Sequence, residues 1–116
     1  MRPDAYPFDL GDYHFAASTT KPDASIWFNR AMVWLYGFHH EEASYCFQQA
    51  VTADAEMAMG YWGLAFANGP FMNMPWHAFD EGELASAIPF CHAQIETAKA
   101  LAAKGHTTAL EAALIN

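Results

Sequence analysis

His39 and Glu42 stand three apart at what reads as a helix start, and His92 stands four before Glu96. Such spacings bring an imidazole and a carboxylate onto one helix face, where they can pair as acid and base or as ligands to a metal. The same spacings arise on many helices that carry no chemistry, and neither pair outlines an active site by itself. Met57 and Met59, and again Met72 and Met74, place thioethers two apart, with His39, His40 and His77 near the same hairpin ends. Thioether and imidazole donors together suit copper, above all Cu(I). Residues two apart on a helix do not share a face, which weakens the Met57–Met59 pair; Met72 and Met74 fall in a loop and escape that objection. Neither spacing matches a zinc signature such as HExxH or paired CxxC, and Met more often fills irregular gaps in a core. No Gly-rich phosphate loop, GxSxG elbow or Cys–His signature is present. The expectation is a chain without catalysis and without a cofactor. The alternative is a copper or iron pocket that uses His39, His77, Met72 and Met74.

Composition narrows the partners. Of the 116 residues 53% are hydrophobic and only 16% charged, so the chain has much to bury and favours packing against further protein. A net charge of −8 with five basic residues leaves no cationic patch for nucleic acid. No window approaches a membrane span, and the first residues do not read as a signal peptide. Cys46 and Cys91 lie among apolar helical neighbours and read as buried, reduced thiols, which points to a cytoplasmic protein.

The elements that would position these groups are helices. Residues 1–22 carry Pro3, Pro7 and Pro22 with no periodicity and are expected to form an irregular arm. Its Tyr6, Phe8, Tyr13 and Phe15 are too apolar for a free tail and should lie along the first helices. Asp23 or Ser25 can cap a first helix that Gly37 stops. A second runs from about His40 to Ala53, with Ala43, Cys46, Phe47, Ala50 and Val51 as its apolar stripe. The third, about Ala55 to Asn68, contains Gly60 and Gly63, each costing about 1 kcal/mol in a helix interior; this predicts a close approach by a neighbouring helix or by a ligand. Helical composition resumes at Asp80 and continues to Lys104, with a kink or break expected at Pro89. Thr108-Ala-Leu-Glu111 is a capping box opening a last helix that runs to Asn116 without a terminator. The chain is therefore expected to be the N-terminal part of a longer one.

Ala24, Trp27 and Ala31 return 34 positions later as Ala58, Tyr61 and Ala65. Trp27, Ala31 and Trp34 in the first helix, with Ala43, Phe47, Ala50 and Asp54 in and after the second, resemble a tetratricopeptide repeat. Arg30 stands where that family usually has Leu, and Ala55 where it usually has Pro. The second repeat matches at Tyr61, Leu64 and Ala65, and its second helix at Cys91, Ile95 and Ala98. Ala43 to Cys91 is 48 residues rather than 34, so 14 are inserted, best placed near 69–80. LYGFHHEEA, AMGYWGLAFANGP and MNMP further resemble a group of longer bacterial tetratricopeptide-domain proteins whose biochemical role is unsettled.

The resemblance implies an all-α fold of stacked antiparallel hairpins, a tetratricopeptide-like solenoid, over residues 23–116: hairpin 1 about 23–54, hairpin 2 about 55–104, and the start of a further helix at 108–116. Each hairpin cannot bury its own apolar faces and must stack, which creates a concave surface. That surface would display Phe28, Asn29, Met32, Tyr36, Met59, Trp62 and Phe66. Asn29 matches an Asn used by relatives that clamp a peptide carboxylate, but Phe28 and Met59 stand where cations would be needed. The implied partner is an apolar or aromatic peptide, a protein surface, or the rest of a longer parent chain. The inserted loop would fold over the groove, with Asn68, Asn73, Trp76 and His77 as its polar or amphipathic contacts.

Overall fold

Pro22 starts the first long helix because its fixed φ suits the first helical position and its missing N–H costs nothing there. The computed structural model describes residues 3–11, 14–69 and 80–116, apart from the side chains of residues 83 and 84. After a 3-10 turn at Pro3–Ala5 come α1 (Pro22–Tyr36), α2 (His40–Ala53), α3 (Ala58–Asn68), α4 (Glu81–Ala103) and α5 (Ala109–Ile115). Among the described residues the chain is all-α, and no helix is long and apolar enough to cross a membrane.

Several boundaries differ from expectation for local reasons. Lys21, not Asp23 or Ser25, is the α1 N-cap, and it gives no side-chain cap bond. Gly37 follows α1 with φ −82°, whereas Phe38 takes the left-handed conformation at φ 61°. That geometry lets His39 N–H reach Trp34 O at 2.9 Å and Phe38 N–H reach Leu35 O at 3.1 Å, so helix-end carbonyls are satisfied at the cost of a strained aromatic residue. α3 begins at Ala58 instead of Ala55 because Asp54 Oδ1 accepts from Glu56 N–H at 3.0 Å and holds the preceding residues in a turn. α4 is one helix through Pro89, which lies on its exposed side.

α1 packs on α2, α2 on α3 and α3 on α4, while α5 touches α4 and α3. The three residues between α1 and α2 make those two antiparallel neighbours. Trp27, Phe28, Phe47, Met57, Met59 and Leu64 are the largest apolar side chains of one shared core. Gly60 and Gly63 show why α3 carries two glycines. A Cβ on Gly63 would lie 2.2 Å from the Phe47 ring and one on Gly60 would lie 2.6 Å from Val51 Cγ1. The close approach is therefore α2 against α3.

Candidate functional site

The N-terminal arm lies on α1, and the seam between them gathers most of the polar chemistry of the described chain. Tyr6 is its hub. Its hydroxyl donates to Glu42 Oε1, accepts from Trp34 Nε1 at 2.8 Å and accepts from Cys46 Sγ at 3.5 Å. One donor and two lone pairs are thus all used. The Tyr6 ring stands edge-on to Trp27 at 5.2 Å and to Phe8 at 5.5 Å, and Phe8 in turn meets Trp34 at 5.5 Å. The guanidinium of Arg30 sits 4.8 Å from the Tyr6 ring centre and 5.1 Å from that of Trp27.

Further along, the arm is read by backbone as well as by side chain. Phe15 N–H donates to Asn29 Oδ1 at 2.8 Å, Asn29 Nδ2 donates to His14 Nδ1 at 3.1 Å, and the Phe15 ring lies 5.9 Å from Phe28. Ser18 reaches α5: its N–H and Oγ donate to the two carboxylate oxygens of Glu111, whose side chain also accepts from Thr108 N–H at 2.8 Å. Glu111 is 1% exposed, yet three donors converge on it, which is how a carboxylate can be buried. Thr19 Oγ1 donates to Asp54. Beside these ties lies a polar cavity of about 460 Å³, with Thr20, Glu56, His106 and Thr107 in its wall.

The residues expected on a concave surface divide sharply. Phe28, Met32 and Met59 are buried in the core, and Asn29 is engaged by the arm. Tyr36 and Phe66 are exposed, at 63% and 52%, and half-buried Trp62 stacks at 5.4 Å on Phe66. Asn68 is turned inward, donating to Ser44 Oγ at 2.9 Å and Leu64 O at 2.8 Å. Asn73, Trp76, His77, Met72 and Met74 lie outside the described residues, and with them the expected pocket beneath the inserted loop.

His39 and Glu42 do not form an acid–base pair. His39 Nδ1 caps α2 by accepting from Glu42 N–H at 3.3 Å, while the Glu42 carboxylate goes to Tyr6. Glu96 pairs instead with Lys99 at 3.7 Å, and His92 is exposed. Met57 and Met59 are core side chains. Among the described residues no group of three or more His, Cys, Asp or Glu is placed to hold a metal ion. Both cysteines are free thiols; Cys46 is buried and Cys91, half-buried, donates to Ala65 O at 3.4 Å.

Two groups that sequence reasoning did not select, Tyr6 and Arg30, carry this seam. Arg30 had a signal, since it replaces an expected Leu, whereas the Tyr6 hydroxyl could be placed only once the arm had a position.

Burial pushes the Cys46 thiol from 9.0 up to about 11, aided by the nearby Glu42 carboxylate. Burial, then the Glu42 and Cys46 contacts, raises the Tyr6 phenol from its ordinary value as well. Both groups hold their protons in the folded chain at a pH where the unfolded chain releases them. Stability is therefore fully present below about pH 9 and falls as pH rises through about 11. At 1.36 kcal/mol per unit, Cys46 contributes a loss on the order of 2 kcal/mol. Urea midpoints measured from pH 7 to 11 should show this fall. In Cys46→Ala the decline should be shallower, with Cys91, whose thiol burial also pushes up, and Tyr6 supplying what remains; an unchanged pH profile would refute the assignment.

No protein-family model, curated protein or solved structure matches the chain.

Proposed function

We propose that the chain is a noncatalytic helical-repeat scaffold of the tetratricopeptide kind that binds an extended apolar or aromatic segment of another protein. The observation that supports this reading most is the arm itself. Asn29 accepts a main-chain N–H from Phe15 while Phe28 packs its ring, so one helix face handles the backbone and the side chain of an extended segment together. Beyond the arm, exposed Tyr36 and Phe66 and half-buried Trp62 offer apolar surface of the same character. The order in which α1 to α4 pack, each on its chain neighbour, fits stacked hairpins. Two free thiols fit a reducing, cytoplasmic setting.

On this reading the arm competes with an external segment for part of the face. Peptide selection against the intact chain should enrich extended sequences with aromatic or aliphatic side chains. Trp62→Ala should weaken the selected peptides about tenfold, in line with loss of an aromatic anchor. Phe15→Ala, which loosens the arm, should tighten them several-fold, because the competent state becomes more populated. Binding that ignores both substitutions would sink the proposal.

A further inference from the structure

Each partner of the Tyr6 hydroxyl belongs to α1 or α2, so the slot that Tyr6 fills is built by the helices and not by the arm. Glu42 accepts its hydrogen bond, while Trp34 Nε1 and Cys46 Sγ donate to its oxygen. Trp27 meets the ring edge-on at 5.2 Å, and the Arg30 guanidinium lies 4.8 Å from the ring centre. Together these groups match a phenol at both ends: a ring face that attracts a cation, and a hydroxyl with one donor and two acceptor sites.

Other side chains fit this slot poorly. Phenylalanine would leave the Glu42 carboxylate, the Trp34 N–H and the buried Cys46 thiol without partners, and a site built to bond a hydroxyl rejects the analogue that lacks one. Serine or threonine would bring the hydroxyl but no ring for Trp27 and Arg30. Phosphotyrosine would set added negative charge against Glu42 and bring no proton to share with it. The arm makes a second contact two residues on, where Phe8 meets Trp34 edge-on at 5.5 Å. Its pattern is thus a tyrosine, any residue, then an aromatic.

Resting on the peptide-binding function above, we propose that an external segment fills this slot with a tyrosine of its own, and that Tyr6 is the internal copy it displaces. The bound segment carries an unphosphorylated tyrosine with an aromatic residue two places on. The slot thereby gives an otherwise apolar face the hydrogen-bond selection that apolar contacts alone supply poorly.

The test uses the full chain with Tyr6→Ala, which vacates the slot, and a labelled peptide copy of residues 3–11, PDAYPFDLG, as probe. The probe should bind saturably, and its phenylalanine and phosphotyrosine versions about 10- to 100-fold more weakly, as loss of a bond to a charged acceptor requires. The intact chain, whose own Tyr6 holds the slot, should bind the probe several-fold more weakly with the same order of preference, which keeps the test open if Tyr6→Ala fails to fold. Adding Trp34→Phe, which keeps a ring and removes one donor, should narrow the gap between the tyrosine and phenylalanine probes several-fold. Equal binding of those two probes would overturn the assignment of the slot, while peptides enriched in the selection above would leave the peptide-binding function standing. Concentration-dependent self-association of the intact chain in light scattering, without probe, would overturn it too, by giving the slot to the arm of a second copy.

Discussion

Gly63→Ala is expected to destabilise the chain by about 2–3 kcal/mol, although alanine is the better helix former by about 1 kcal/mol. The added methyl would stand 2.2 Å from the Phe47 ring. That ring is fully buried and meets Phe28 edge-on at 5.5 Å, so it has nowhere to withdraw. The contact must then be relieved by moving α3 off α2, which opens packing along the whole helix pair. Shrinking the obstacle tests the cause: Gly63→Ala combined with Phe47→Leu should lose less than the two single costs added together. Gly82→Ala is the control. Gly82 is exposed in the first turn of α4, and its nearest obstacle is Asp80 Oδ1 at 3.4 Å. Urea unfolding of the parent and the four variants decides the matter, and a Gly63→Ala variant as stable as the parent would contradict the helix contact described here.

Glu111→Ala should cost about 3 kcal/mol or more. The substitution removes the acceptor for two backbone N–H groups, of Ser18 and Thr108, and for the Ser18 hydroxyl. Ser18 is half-buried and Thr108 exposed, so each lost bond costs about 1 kcal/mol, and the negative charge at the start of α5 is lost as well. A loss of this size lowers the melting temperature by about 15 °C in a domain of this length. Glu111→Gln, which keeps one carbonyl acceptor, should lose roughly half as much. Protease cleavage within the arm should rise in Glu111→Ala, since its tie to α5 is gone. A variant with unchanged melting and unchanged cleavage would show that the carboxylate does not anchor the arm.

Helix existence was legible in the sequence, and the limits of that reading lie with particular residues. α2 was readable to the residue because a regular apolar stripe, two early glutamates and a following Asp54 all agree. The Thr108–Glu111 capping box was equally plain and forms as written. The α3 glycines implied a close contact, but their partner could be named only once α2 and α3 were docked. The start of α1 was misplaced because Pro22 sets the first turn without help from a side-chain cap. The site was less legible than the fold. Long-range partners such as Tyr6 with Glu42, or Ser18 with Glu111, follow from where the arm lies, and an aperiodic arm leaves no pattern from which to derive its path. The aromatic positions of the first helix were visible, yet periodicity alone could not tell a displayed Phe28 from a buried one.

The Ser18–Glu111 tie joins positions 93 residues apart. A ribosome making about 5–20 residues per second needs about 5–20 s to travel that distance. Throughout this interval the arm, which is made before α5, has nothing at that end on which to fasten. It can settle on α1 through Tyr6 and Phe15, but its polar bonds from Ser18 wait for α5. The arm is thus secured well after it is made, and a chaperone or partner that recognises apolar arms would meet this one during translation.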